Sequence, residues 1–264
     1  MVEHRIRRRS TVPCGPTDEA TLAGGPGPSS LAAMCGRYVS VSSPEQLAER
    51  FAVDEVRTPS LGARYNVAPS LDVYAVIERQ DQRRLGTLRW GFVPVWSKDP
   101  RKGPSPINAR LEGVAESRMF APAFARRRCL LPADGFYEWQ ARGEGRRKQP
   151  YYLHHPDGEP LAFAGIFSSW RPKDDEQADP LYSCAIVTTG AAGEIAHIHE
   201  RMPLILPQRL WSTWLTAEPD EAPHLQETVA ALDPPALVAE PISDRVNNVR
   251  NDGPELLEPG EVSG

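Results

Sequence analysis

Arg128-Cys129-Leu130-Leu131-Pro132-Ala133-Asp134-Gly135-Phe136-Tyr137-Glu138-Trp139-Gln140 is the stretch from which the fold is read. Two short apolar runs, 129–131 and 135–140, flank a break that holds a proline, an aspartate and a glycine. Short apolar and aromatic runs bounded by such residues read as β-strands. Alternation in the second run predicts Phe136 and Glu138 on one face, with Tyr137 and Trp139 on the other. A carboxylate beside Phe136 loses part of its hydration, which raises its pKa toward the range useful for proton transfer. The competing reading is an edge-strand glutamate that faces solvent.

Working outward, strands are expected at 150–154 and 161–168, with Asp157-Gly158 as the hairpin turn between them. Further strands are expected at 181–189 and 202–206, and upstream at 35–41, 73–77 and 87–93. A charged turn at 81–84 joins the last two. Ser43, Pro44 and Glu45 form a helix start, with Ser43 as N-cap and Leu47, Phe51 and Val53 on the apolar face. Helices are also expected at 108–117, 119–126, 208–215 and 222–232. Many antiparallel-looking strands with inserted helices, and no regular βαβ alternation, predict the α+β class. The expected architecture is a single compact domain of curved antiparallel β-sheets, barrel-like, with peripheral helices.

The 264 residues fit one large domain or two small ones. No apolar run approaches the roughly 20 residues needed to span a bilayer. A net charge of -5 argues against bulk electrostatic nucleic-acid binding but leaves room for a local basic groove. No phosphate-binding Gly-rich loop or dinucleotide fingerprint occurs, and no cofactor is expected. Residues 1–33 carry a basic cluster (Arg5, Arg7, Arg8, Arg9) and a Gly/Pro/Ser run, the composition of a disordered extension. The domain is expected over 34–255, with a flexible tail at 256–264.

Cys14, Cys35, Cys129 and Cys184 show no Cys-x-x-Cys spacing, so no zinc site is expected. Cys129 and Cys184 sit in apolar runs and read as small core residues. A reducing cytoplasm fits this cysteine usage. Cys35 is different, because Met34 precedes it. A cysteine at the start of a mature chain carries a thiol and a free amine on adjacent carbons. The α-amine has a pKa of about 7.7–8.0, so a useful fraction is unprotonated at neutral pH. Such a pair forms a Schiff base with an aldehyde, and the thiol then closes a five-membered thiazolidine ring.

Other reactive side chains gather at 106–110, around Asn108 and Arg110, at 135–139, around Glu138, and at 197–203, around His197, His199 and Glu200. His-x-His in a strand would put both rings on one face, but no third metal ligand stands out, and a proton-transfer or hydrogen-bonding histidine is the better reading. A thiol-protease reading would take Cys35 as nucleophile, His199 as base and Asn108 as orienter. Arginine suits bidentate phosphate contact, and Arg37, Arg64, Arg89 and Arg110 stand singly beside aromatic or turn residues. Trp90 offers either a flat surface for a base or a core side chain. The Arg126-Arg127-Arg128 run reads as a solvated helix end.

Taken in order, Met-Cys-Gly-Arg-Tyr at 34–38, Tyr-Asn-Val-Ala-Pro at 65–69 and Arg-Trp-Gly-Phe-Val-Pro at 89–94 are followed by Asn-Ala-Arg at 108–110 and the stretch quoted first. Phe-Ala-Gly-Ile at 163–166, Thr-Thr at 188–189, His-Glu-Arg-Met-Pro at 199–203 and Val-Asn-Asn-Val-Arg at 246–250 complete the set. The set resembles the SOS response-associated peptidase family. That resemblance implies a monomeric sensor of abasic sites in single-stranded DNA, acting in the DNA damage response. Its N-terminal cysteine forms a covalent thiazolidine DNA–protein crosslink, with autoproteolytic peptidase and lyase activities also ascribed to the family. It places the protein in the cytoplasm, on the nucleoid when DNA is damaged.

Carried over by residue, the resemblance makes Cys35 the crosslinking residue. Asn108 positions the cysteine end, Glu138 transfers protons and His199 acts at the abasic sugar. Arg37 and Arg110 become phosphate contacts and Trp90 an aromatic near the strand. The family's cysteine follows the initiator methionine directly, so a translation start at Met34 is preferred over a true 33-residue extension. The alternatives are a thiol peptidase acting on other proteins and a non-covalent binder of modified DNA.

Overall fold

The computed structural model describes residues 35–175 and 177–260. The expected disordered extension at 1–33 and the last four residues of the expected tail lie outside the described residues.

Local chemistry sets the first elements. Ser43 Oγ accepts from Gln46 N–H at 3.3 Å and Gln46 Oε1 accepts from Ser43 N–H at 2.8 Å. This reciprocal cap starts helix α1 (Pro44–Phe51), which buries Leu47 and Phe51. Three further helices follow: α2 (Ala121–Arg126), α3 (Trp211–Thr216) and α4 (Ala222–Ala230). Among the described residues, no helix is long and apolar enough to cross a membrane.

The strands form two sheets. The first contains β1 (Tyr38–Ser40), β3 (Arg64–Val67), β8 (Gly135–Gln140), β9 (Gln149–His154) and β13 (Val238–Pro241). Its order is β13-β9-β8-β1-β3, antiparallel throughout. The second contains β2 (Glu55–Val56), β4 (Asp72–Arg79), β5 (Gln82–Trp90), β6 (Asn108–Arg110) and β7 (Arg128–Ala133). It also holds β10 (Leu161–Trp170), β11 (Leu181–Gly190) and β12 (Arg201–Pro203). Its order is β12-β11-β10-β7-β4-β5-β2, with β6 attached to β11.

The α+β class and the curved antiparallel sheets agree with the sequence. The exceptions are three parallel pairs, β11 with β5, β11 with β6 and β2 with β5. The first of these closes β5-β4-β7-β10-β11 into a ring.

Side-chain alternation along the ring strands feeds two cores. Ala185 and Val187 of β11 join Leu47, Phe51, Trp211 and Trp214 under the helices. Cys184 and Ile186 point the other way, to Trp90, Phe163 and the first sheet's Tyr38 and Phe136. Cys129 is buried with them, so both core cysteines lie where the sequence put them. A smaller cluster on the far side of the first sheet holds Val39, Tyr137 and Ile242.

Several expectations are corrected. Residues 108–117 are not a helix: Asn108–Arg110 is a strand because Ala109 fills the first core, and a 3-10 turn follows at Leu111–Gly113. Asp157-Gly158 does not close a hairpin, because β9 and β10 belong to different sheets and the turn carries the chain between them. Arg128 is no solvated helix end. It is buried, and its guanidinium donates to the carbonyls of Phe124, Trp214 and Ala217. Those carbonyls end two helices, and burial pushes the Arg128 pKa down to about 10. Residues 256–260 of the expected tail are held. Leu256 is buried, and Gly260 N–H donates to Pro241 O at 2.9 Å.

Two contacts fix the start of β8, the strand that carries Glu138. Asp134 accepts from the N–H groups of Val41 and Ser42 at 2.6 and 3.0 Å, and from the Ser42 hydroxyl. Gly135 lies under the Tyr152 ring, where a Cβ would come within 2.4 Å of Cε2 and 2.7 Å of Leu153 O. Gly135→Ala should therefore cost about 1–3 kcal/mol of stability in urea unfolding, since neither the ring nor the strand behind it can retreat freely. An unchanged midpoint would mean that β9 yields.

Candidate active site

The register of β1 on β8 brings the first two site residues together. Tyr38 lies opposite Phe136 and Val39 opposite Gly135. Continuing that register sets Gly36 opposite Glu138, and Tyr137 N–H donates to Arg37 O at 3.1 Å. Alternation on β8 is as expected: Phe136 enters the second core and Tyr137 the far cluster. Glu138 is 1 % exposed, which excludes the solvent-facing reading.

The backbone nitrogen of Cys35 donates to Glu138 Oε1 at 2.9 Å. The same carboxylate lies near enough to the thiol to act on its titration, so one group bears on both nucleophilic atoms of the cysteine. Cys35 itself is buried, with φ at 40°, on the left-handed side that side chains other than glycine avoid. Burial, then the Glu138 charge, pushes the Cys35 thiol well above its usual range, while Arg201 pulls it weakly down. Burial also raises the Glu138 carboxyl, against the hydrogen bond from Cys35 and the attraction of His199.

His199 Nδ1 lies 4.0 Å from Glu138 Oε2. The N–H of Arg201 donates to the same Nδ1 at 3.1 Å. The same Nδ1 lies 3.2 Å from Arg201 O, so whether it donates to that carbonyl or accepts from the N–H depends on the tautomer. The histidine lies outside any strand: β12 begins at Arg201, His197 is exposed, and the two rings do not share a face. Arg201 forms a fork to both oxygens of Glu112 at 2.6 and 2.9 Å and donates to Thr188 O at 2.8 Å. Sequence reasoning missed this residue as a site member, although it stands two positions after His199 in a quoted motif.

Asn108 and Arg110 reach the same end of the molecule through the parallel pairing of β6 with β11. Asn108 lies opposite Ile186 and Arg110 opposite Thr188. Asn108 is half-buried, and Arg110 is exposed. Arg37 is half-buried, and its Nη1 donates to Asn66 Oδ1 and Val246 O, both at 3.1 Å.

Trp90 is corrected. It is fully buried, stacked at a tilt on Tyr38, and its indole N–H donates to Ile107 O at 3.0 Å. It offers no face to a base. Its contribution is to anchor the residue before Asn108. Among the described residues, no group of three or more acidic, histidine or cysteine side chains could hold a metal ion.

The sequence model of the SOS response associated peptidase (SRAP) family matches residues 34–249. Abasic site processing protein YoqW of Bacillus subtilis is 35% identical over 226 residues, covering 85% of this chain and 99% of its own. Abasic site processing protein YedK of Escherichia coli is 35% identical over 232 residues, covering 86% of this chain and 100% of its own. A solved phage-related protein from Bordetella bronchiseptica superposes with a TM-score of 0.61 at 31% identity, over 79% of this chain and 94% of its own.

The raised carboxyl makes stability depend on pH. Unfolded, Glu138 titrates near about 4.3; folded, it titrates higher. The stability linked to its protonated form is complete below the unfolded value and is lost as pH rises through the folded one. Urea unfolding from pH 4 to pH 8 should show Glu138→Gln gaining on the parent as pH rises, then levelling. Parallel curves would mean that the carboxyl titrates normally.

Proposed function

We propose that this chain, which belongs to the SOS response associated peptidase (SRAP) family, processes abasic sites in single-stranded DNA by linking to them covalently through Cys35. The observation that carries this reading is the buried Glu138 carboxyl, which accepts from the nitrogen of Cys35 and whose charge acts on its thiol. The reacting form has a free α-amine on Cys35, exposed by loss of the residues ahead of it.

The ring-opened abasic sugar presents an aldehyde. The amine adds to its carbon, and the carbonyl oxygen takes a proton. That hydroxyl then leaves as water when the C=N bond forms. The sulfur adds to the same carbon, its proton passes to nitrogen, and a thiazolidine results with one water released overall.

The raised pKa of Glu138 increases the fraction that carries a proton, which it can deliver to the departing hydroxyl. It is also placed to receive the proton that the amine loses. His199, beside Glu138, suits donation to the ring oxygen of the closed sugar, the step that frees the aldehyde. Asn108 positions the cysteine end, and Arg37 and Arg110 meet the phosphates on either side.

The same geometry supports self-cleavage of the bond preceding Cys35. Glu138 Oε1 lies 2.9 Å from the nitrogen that would leave, and the raised pKa of the carboxyl suits it to donate a proton there. A thiol peptidase acting on other proteins is a poorer fit. Such enzymes need an accessible thiolate, whereas Cys35 is buried and burial keeps its thiol protonated.

Incubation of the Cys35-first protein with single-stranded DNA carrying an abasic site should give a shifted band on a denaturing gel, absent in Cys35→Ala. Glu138→Gln should slow its appearance by about 10²–10⁴-fold. His199→Ala should slow it as well, with strand binding unchanged. If no Cys35-dependent band forms, the covalent reading is wrong; binding that survives Cys35→Ala and fades with salt would then favour a non-covalent binder.

A further inference from the structure

The ring strands carry a second concave surface at the end remote from Cys35. On β11, Tyr182 lies six residues from Thr188, about 20 Å along an extended strand. Here a cleft of about 490 Å³ opens on the face that holds the second core. Its floor is apolar, with Ala75, Leu88 and Phe167 against it, and Tyr182 stands 46% exposed at its edge.

The hollow has a covalent cause. Position 86, opposite Ala75 in the middle of β5, is glycine. A Cβ there would meet nothing within 4 Å, and its backbone is not in the left-handed region. A strand glycine with neither a turn nor a close neighbour leaves room for something else to approach.

Four arginines line the cleft: Arg57, Arg79, Arg84 and Arg127. Glu55 pairs with Arg57 at 2.7 Å and with Arg84 at 3.2 Å. Arg79 and Arg127 form no ion pair with a described residue. Two of the four guanidinium groups therefore share one carboxylate, and the other two have none among the described residues. Arginine forks match phosphate oxygens, and an apolar floor with aromatic edges suits a flat ring.

We infer that this cleft binds a nucleotide, with its phosphate on Arg79 and Arg127 and its base on the floor left open by Gly86. The shared chemistry is a nucleoside 5′-phosphate, supplied either free or as the end of a DNA strand. The inference does not depend on the reaction at Cys35, because none of these residues belongs to that site.

Calorimetric titration of the full chain tests it. The probes are deoxyadenosine 5′-monophosphate, deoxyadenosine, inorganic phosphate, and a 5′-phosphorylated single-stranded oligonucleotide without abasic sites. The monophosphate should bind at least about tenfold more tightly than deoxyadenosine. The double variant Arg79→Ala/Arg127→Ala should weaken it by about tenfold or more, and Gly86→Leu should abolish it by filling the floor. Both arginines have exposed or half-exposed side chains, so the double variant reports even if Gly86→Leu does not fold.

Binding of the oligonucleotide alone, lost in the variants, supports the site and assigns the strand end as its source. The inference is overturned if neither nucleotide probe binds. It is equally overturned if the variants bind as the parent does, or if inorganic phosphate binds as tightly as the monophosphate.

Discussion

A carboxylate taken out of water needs a partner, and Glu138 finds one in the backbone nitrogen of Cys35. It is 1% exposed, it accepts from the Cys35 nitrogen, and burial raises its pKa. Around that contact the architecture is closely set. The β1–β8 register delivers Gly36 opposite Glu138, Asp134 clamps the exit of β1, and Gly135 lets Tyr152 cross the strand. From the other sheet, Arg201 holds His199 from behind through its own N–H while its guanidinium is tied to Glu112 and Thr188. Cys35 and Glu138 thus meet at the first sheet, and His199 arrives on the segment that leads into β12 of the second.

The environment decides which chemistry these side chains suit. A buried thiol beside a carboxyl is a poor free-standing nucleophile, because burial and the nearby negative charge both favour the protonated form. The reaction proposed above has an amine and a thiol act in turn on one carbon, and its proton transfers fall within reach of a carboxyl that already holds the nitrogen. Desolvation that disables one reading of Cys35 thus equips the other.

Local signals were legible in the sequence where the physics is local. The Ser43 cap, the alternation on β8 and the burial of Cys129 and Cys184 follow from short-range rules. Glu138 could be placed on the correct face from Phe136 alone. The misreadings arose where distant contacts decide. Residues 108–117 look helical by composition, yet β11 recruits the first three as a parallel strand. Asp157-Gly158 has hairpin chemistry but joins two sheets. Trp90 and Arg128 resemble surface recognition residues until their buried partners, Ile107 O and three helix-end carbonyls, are known. Arg201 was overlooked because its role is to orient a neighbour, and no residue type announces that.

The backbone at Cys35 has one further consequence. Its φ of 40° crowds the cysteine side chain against the carbonyl of the residue before it, a conformation that costs on the order of 1–3 kcal/mol for a residue with a Cβ. The torsion is defined only while that carbonyl is attached. The strain therefore sits on the one residue whose nitrogen the buried carboxyl holds, so the contact that seats Cys35 also keeps its backbone bent.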